Sequence, residues 1–232
     1  MNQLTLESNV SDIVKQIPQT GDLFRKLRID FCCGGKVPLQ TAVLEKKLDP
    51  SEVFEKVKEI ESKQFQFQDI IPTSLDEKEL IHHIQTKHHA FLREELPALS
   101  PYITKISKVH GEKHPHLLRV HEIFFHLKRE LLDHTEDEDN VVFPLIMQFL
   151  SKPTKENAEQ LIPHVFELEQ EHENAGTLLK ELREITKNFT PPEGACGTYQ
   201  LVYKRLEYLE KDTYEHVHLE NNILFENVRN AM

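Results

Sequence analysis

The sequence predicts an all-α protein, and three observations favour this fold class. Long stretches are rich in Leu, Glu, Lys and Gln, which are good helix formers, and the 232 residues include only 7 Gly. Apolar residues recur three and four positions apart, which is the helical period. No segment alternates apolar and polar residues between hairpin signals. We therefore expect a small N-terminal helical domain followed by an up-and-down four-helix bundle.

The chain is predicted to consist of a small helical domain at residues 1–62, a linker at 63–74 and a bundle at 75–232. In the linker, KQFQFQDIIPTS, the helical period is lost and Pro72 adds a break. The two parts on either side keep the helical pattern, so each is expected to bury an apolar face of its own.

The first domain carries recognisable helix starts. Asp49 precedes Pro50 and has Glu52 three residues further on, as expected for an N-cap, a first helical residue and an N3 position. Ser11 is expected to cap an earlier helix that ends near Gln16. The intervening FCCGG is expected to form a tight break.

The bundle is predicted to contain four long helices. They are expected from Ser74 or Asp76 to about Leu96, and at about 116–150, 155–188 and 198–230. Pro97 and Pro101 are predicted to end the first of them, leaving a short helix at about 102–110. Short connections make consecutive helices antiparallel, and such bundles place metal and cofactor sites between facing helices.

Charge and cysteine content exclude several classes of protein. The formal net charge is −11, which disfavours general binding to nucleic acid. No apolar run approaches the roughly 20 residues that span a bilayer, and no secretory signal is evident. Three Cys, two of them adjacent, argue against a disulfide framework. We expect a cytoplasmic protein that binds neither nucleic acid nor membrane.

One ten-residue phrase occurs twice, as HTEDEDNVVF and HVHLENNILF. Each phrase has a histidine four residues before a glutamate, giving His134 with Glu138 and His216 with Glu220. Residues four apart share one face of a helix, so each pair presents an imidazole beside a carboxylate. The alternative is an ordinary solvated ion pair on an acidic helix, but the repetition favours a site.

Histidine partners are expected on the other two helices of the bundle. His172 precedes His216 by 44 residues, and His89 precedes His134 by 45, which suggests two similar helical hairpins. The apolar stripe of the first helix, taken alone, favours His88 over His89. Two such hairpins would bring four histidines and two glutamates to one point.

This donor set is too large for a single structural zinc ion, which takes four ligands and usually some Cys. It suits two octahedral metal ions bridged by the glutamates, and mixed nitrogen and oxygen ligation is typical of non-haem iron or manganese. A structural zinc site remains the alternative.

The two His–Glu phrases resemble the hemerythrin-like fold, and the whole chain resembles the repair of iron centres (RIC) family of di-iron proteins. IDFCCGG, SKVHG, PPEGAC and YEHVHLENN also resemble that family. The resemblance implies repair of iron–sulfur clusters damaged by oxidative and nitrosative stress, by iron donation to damaged cluster proteins. The implied cofactor is two non-haem iron ions with oxo and carboxylate bridges. The implied ligands are His89, His134, Glu138, His172, His216 and Glu220.

Other readings of the same residues stay open. A di-iron redox enzyme acting on nitric oxide or peroxide would need the same site. Oxygen-carrying hemerythrins use a further histidine, so reversible oxygen transport is not expected. His126 is expected to have a surface or packing role, but with Glu130 it lies on the His134 face, where the pair would serve as a second layer around the metal or as an ion path.

The cysteines have separate predictions. Cys32 and Cys33 either fill a tight glycine turn or form a thiol pair that passes iron, is oxidised or contacts a client protein, and the resemblance favours such a functional pair. Cys196 is expected to be structural. We also expect a homodimer, because the N-terminal domain is small and needs a partner to bury its apolar face.

Overall fold

The computed structural model describes residues 3–63 and 75–232, so all of the predicted linker except Lys63 lies outside the described residues. The described residues are mostly helical and form no strand beyond one isolated bridge between Asn9 and Pro38. The predicted all-α class is therefore confirmed. Among the described helices, none combines the length and the apolar character required to cross a membrane.

The described residues group into two compact units. The first contains the described residues up to 81 together with 214–230, and the second contains 82–213 with the last two residues. The helix at Gly197–Leu219 thus contributes residues to both units. The division into domains at residues 62 and 75 stays a prediction.

The first unit is built from short helices around an apolar core. The core includes Val10, Phe24, Leu39, Val57 and, from the C-terminal segment, Val217. Its helices are α1 (Val10–Gln16), α2 (Thr20–Lys26), α3 (Leu39–Glu45) and α4 (Pro50–Lys63).

The helix starts of this unit give one confirmation and one correction. The Asp49 carboxylate accepts the backbone N–H groups of Ser51 and Glu52 at 2.7 and 3.2 Å, so the predicted cap of α4 is confirmed. Ser11 is not a cap, because α1 begins at Val10 and places Ser11 in its first turn. Its burial there follows from the packing of this turn into the core.

The second unit is a bundle of long helices. The helices after α4 are, in chain order, α5 (Glu77–His83), α6 (Ala90–His110), α7 (His116–Asp137), α8 (Phe143–Ser151), α9 (Lys155–Ile185), α10 (Gly197–Leu219) and α11 (Phe225–Asn230). The second unit contains α6 to α9 with parts of α5 and α10, whereas α11 lies in the first unit. π-helical segments join α5 to α6, α7 to α8 and α10 to α11: Ile84–His89, Glu138–Val142 and Glu220–Leu224.

Arginine–glutamate pairs fix the order of the helices in the bundle. They join α7 to α9, α9 to α10, and α10 to α6: Arg119–Glu181, Arg183–Glu210 and Arg205–Glu95. The pair between Arg183 and Glu210 is buried, and leaving one buried charge without its partner is costly. The three pairs connect α7, α9, α10 and α6 in series.

The predicted break at Pro97 and Pro101 is wrong, since α6 continues through both prolines to His110. Each proline removes one backbone donor from the helix. The loss is offset because α6 buries an apolar face on both sides of the prolines, including Leu92, Leu99 and Ile106. Tertiary packing therefore outweighs the local propensity for a break.

Candidate metal centre

Four of the six predicted ligands come together inside the bundle. His89 ends one π-helical segment, His134 lies in α7, Glu138 begins the next π-helical segment, and His172 lies in α9. All four are at most 6% exposed. Buried imidazoles and carboxylates require partners, so their convergence needs a chemical explanation.

The ring nitrogens and the carboxylate are close to one another. Nε2 of His134 lies 3.0 Å from Nε2 of His172. Oε2 of Glu138 lies 3.1 Å from Nε2 of His134 and 3.3 Å from Nε2 of His89. One carboxylate oxygen thus stands between histidines from two different helices, which is the position that a bridging ligand occupies.

These distances fit metal ligation. Two imidazole nitrogens that bind adjacent positions of an octahedral ion at about 2.1 Å are about 3.0 Å apart. Nε2 of His134 and Nε2 of His172 show this separation. Ligand atoms of His134, Glu138 and His172 all lie within 4.8 Å of one another, so one ion can reach the three.

The carboxylate of Asp139 orients His89 through the ring nitrogen that does not face Glu138. Nδ1 of His89 donates to Asp139 at 2.9 Å, and Asp139 also accepts from Arg93 and from Gln85. Partial burial alone would raise the pKa of Asp139, but the bonds from His89, Arg93 and Gln85 hold it well below its usual range. With the proton kept on Nδ1, the lone pair of Nε2 points to Glu138, as a metal-binding imidazole requires.

A second carboxylate does the same for His134. Its Nδ1 donates to Glu171 at 2.6 Å, and Glu171 is the residue immediately before His172. Sequence analysis missed Asp139, Glu171 and Arg93. The available signals were weak but present, because each lies one or four positions from a predicted ligand.

His88, which the apolar stripe alone favours, lies in a different buried pair. Its Nδ1 lies 3.0 Å from Asp212 of α10, and both residues are buried. His88 and His89 are adjacent, so they lie on different sides of the helix, and the structure turns His89 rather than His88 towards Glu138.

The π-helical segments coincide with predicted ligands. His89 is the last residue of one segment, while Glu138 and Glu220 are each the first residue of another. A π turn carries one residue more than an α turn and rotates the side chains that follow, and such turns are frequent at functional sites. The α9 helix, which carries His172, is α-helical throughout.

The remaining two predicted ligands lie in the other unit and contact each other. Nε2 of His216 is 2.7 Å from Oε1 of Glu220, and both side chains are buried. On the other side of this helix, His218 lies 3.2 Å from the Phe31 carbonyl and Asn222 donates to it at 3.4 Å. Burial lowers the pKa of His218 to about 4, so this imidazole is neutral at physiological pH.

The pair His126 and Glu130 repeats the His–Glu spacing without its burial. Their side chains are 49% and 43% exposed, and the atoms are 3.6 Å apart. Spacing alone thus does not distinguish a ligand pair from a solvated pair, and burial decides between them. No bond from either residue to a predicted ligand is found among the described residues.

The three cysteines have different surroundings. Cys32 is buried, Cys33 is partly buried and Cys196 is exposed, and none of them is in a disulfide. Sγ of Cys196 lies 3.4 Å from Nε2 of His110. Sγ of Cys32 lies 3.6 Å from Sγ of Cys33 and 3.4 Å from Oδ1 of Asp30, so the predicted thiol pair has a carboxylate neighbour.

Comparison with known proteins identifies matches along almost the whole chain. The hemerythrin HHE cation binding domain matches residues 80–228, and a domain of unknown function (DUF542) matches residues 6–61. The iron-sulfur cluster repair protein ScdA of Staphylococcus haemolyticus is 39% identical over 96% of this chain and 98% of its own length. The iron-sulfur cluster repair protein YtfE of Enterobacter sp. is 33% identical, covering 93% of this chain and 94% of its own.

Proposed function

This chain belongs to the hemerythrin-type iron–sulfur cluster repair family, and we propose that it restores clusters damaged by oxidative and nitrosative stress by donating iron. The observation that carries this function is the buried group of His89, His134, Glu138 and His172, whose ligand atoms converge inside the bundle. The expected partners are proteins whose iron–sulfur clusters have lost iron.

We propose that His216 and Glu220 complete the site, giving six protein ligands for two iron ions. The register of α10 supports this assignment. Asp212 of α10 contacts His88, the neighbour of His89, and His216 follows Asp212 by one helical turn. Glu220 follows by another turn, so His216 and Glu220 continue the helix face that carries Asp212.

Iron bound by this donor set would supply an exchangeable, redox-active ion. The protein contributes the orientation of the ligands. Asp139 and Glu171 keep the protons of His89 and His134 on Nδ1. This leaves both Nε2 atoms available as ligands. Glu138 contributes negative charge between them, which offsets part of the metal charge in a buried site.

The ligand count supports iron donation. Two octahedral ions have more coordination positions than six side chains fill, even when Glu138 and Glu220 each bridge. Positions not filled by protein can accept water or a ligand of the receiving protein. An ion with open coordination positions exchanges more readily than one in a closed four-ligand cage.

The first test is metal content and absorption of protein purified from iron-supplemented cells. We expect about two irons per chain in the wild type and a near-complete loss in a Glu138→Ala, Glu220→Ala double variant. The matched control is a His126→Ala, Glu130→Ala double variant, which removes an exposed pair of the same spacing. It should retain the iron.

The second test is transfer of that iron to a cluster protein from which iron has been removed. Recovery of the acceptor's cluster, with matching loss from this protein, is expected for the wild type and the control variant. Iron that stays bound would contradict donation. Steady consumption of nitric oxide or peroxide with a reductant, without loss of iron, would instead identify a redox enzyme.

We further propose a homodimer as the working form. The support is indirect: α9 exposes Ile162 and Phe166, which lie four residues apart on one face and are 51% and 64% exposed. Sedimentation velocity of the wild type and of Phe166→Glu tests this proposal. A monomer in both would exclude a stable homodimer.

A further inference from the structure

The turn at residues 30–34 is organised by one carboxylate. Oδ1 of Asp30 accepts the backbone N–H groups of Cys32, Cys33 and Gly34 at 3.1, 3.0 and 3.1 Å. The same oxygen lies 3.4 Å from Sγ of Cys32. The turn therefore fixes a carboxylate and two thiols around one point, and their ligand atoms all lie within 4.8 Å of one another.

The distances match the edges of a tetrahedral coordination sphere. Two thiolates bound at about 2.3 Å are about 3.8 Å apart, and a thiolate and a carboxylate oxygen are about 3.5 Å apart. The turn has 3.6 Å between the sulfurs and 3.4 Å between Sγ of Cys32 and the oxygen of Asp30. An ion would therefore require little rearrangement of these donors.

The backbone of the turn is held firmly by its own unit. Ser11 of α1 donates its N–H to the Gly35 carbonyl at 2.9 Å, and Asn222 donates to the Cys32 carbonyl at 2.8 Å. At Gly35 a Cβ would lie 2.5 Å from the Phe31 carbonyl oxygen, so only glycine fits. A rigid backbone limits the entropy lost on binding, which favours affinity.

One side of the turn faces solvent. Cys33 is partly buried and Gly34 is exposed, whereas Cys32 is buried. An ion held by the three donors would thus keep its fourth position towards water, where another ligand can enter. Open three-ligand sites are typical of ions that exchange or react rather than of structural ions.

We propose that Asp30, Cys32 and Cys33 form a second metal site, which binds one divalent ion of the thiolate-binding class, Fe²⁺ or Zn²⁺. Tetrahedral sites that contain sulfur are characteristic of these two ions. Binding releases the thiol protons to solvent as the two metal–sulfur bonds form. The bond with Cys33, burial and the charge of Asp30 raise the pKa of Cys32, so its thiol is protonated until a metal ion binds.

This site is independent of iron donation by the bundle, because it uses different ligands of different chemistry. The thiol pair is thereby assigned a specific function, the binding of one divalent metal ion, rather than a general role in iron transfer. If iron donation fails its test, the turn still binds metal. If the turn fails, the histidine and glutamate site is unaffected.

The test is titration of the reduced, metal-free full-length protein with Co²⁺. Cobalt bound to sulfur gives a charge-transfer absorption that histidine and carboxylate ligands do not give. In the Glu138→Ala, Glu220→Ala double variant, where the bundle site does not compete for metal, we expect this absorption to saturate at one Co²⁺ per chain and to be removed by Zn²⁺. It should be lost in Cys33→Ser and retained in Cys196→Ser, which removes the exposed cysteine.

Asp30→Asn separates ligation from turn formation, since an amide oxygen still accepts the backbone N–H groups but carries no charge. Cobalt binding should weaken about tenfold or more. Circular dichroism checks that the variants fold, and Cys33→Ala replaces Cys33→Ser if the latter does not. No sulfur absorption in the wild type, or an absorption that depends on Cys196 instead, would overturn the proposal.

Discussion

The buried histidine and glutamate cluster of the bundle and the Asp30–Cys33 turn both bring metal-binding donors together, but by different means. In the bundle, His89, Glu138 and His172 come from three parts of the chain and meet through helix packing. In the turn, the donors lie within four residues and are placed by backbone hydrogen bonds. The first site thus depends on tertiary structure, and the second mainly on local structure.

The largest effects should come from removing one site at a time. Glu138→Ala should release most of the iron of the bundle and leave the sulfur–cobalt absorption unchanged, because its carboxylate lies against His89 and His134. Cys33→Ser should do the reverse. Iron content and cobalt titration of both variants measure this. Loss of both signals in either variant would show that the two sites are coupled.

A smaller effect is expected from Asp139→Asn, which tests how far the hydrogen bond from Nδ1 of His89 to a carboxylate contributes to iron binding. The amide no longer holds His89 with a charge, so iron affinity should fall roughly 10- to 100-fold. Competition with a chelator measures the change. Asp137→Asn is the matched control, since Asp137 is exposed and lies two residues earlier. An equal loss in both variants would point to net charge rather than to orientation.

Gly35→Ala tests how far the turn depends on its own backbone. The added Cβ would lie 2.5 Å from the Phe31 carbonyl oxygen and 2.9 Å from Cβ of Ser11. We expect a loss of about 2 kcal/mol in the free energy of unfolding, with weaker cobalt binding. Urea denaturation measures the former. Gly197→Ala, where the added carbon meets nothing within 4 Å, should leave both unchanged.

The smallest effect concerns His116, whose Nε2 lies 3.1 and 2.9 Å from the hydroxyls of Tyr199 and Tyr203. Burial lowers its pKa from the ordinary 6.5. Its stabilising contribution is therefore present above pH 6.5 and is lost as the pH falls below that value, where the unfolded state binds the proton first.

His116→Gln cannot be protonated and should lose less thermal stability on acidification than the wild type. When the pH falls from about 7.5 to about 5.5, we expect the difference between the melting temperatures of the wild type and the variant to shrink by about 2 °C or less. Differential scanning calorimetry at both pH values checks this. A difference that stays constant with pH would show that the pKa of His116 does not change on folding.

Much of the fold and part of the site can be predicted from local sequence patterns. The Asp49 cap and the long helices follow from capping chemistry and helical period. The His134–Glu138 spacing places an imidazole beside a carboxylate wherever the segment is helical. These predictions need no knowledge of which helices meet.

Features that depend on packing were not predictable. Pro97 and Pro101 are compatible with a continuous α6 only because its apolar face is buried on both sides. The choice between His88 and His89 depends on a π turn, which the apolar period does not reveal. Asp139 and Glu171 act through a side chain on another helix, so their role appears only when the helices are in place.

The π-helical segments bear on how the chain tolerates changes in length. Each contains one residue beyond what a regular helix needs, so deleting a single residue within Ile84–His89 can restore an uninterrupted α-helix. Such a deletion would improve the backbone hydrogen bonding of the helix while turning His89 away from Glu138. We therefore expect the length of the chain at Ile84–His89 to be set by the position that His89 must take beside Glu138 and not by helix stability.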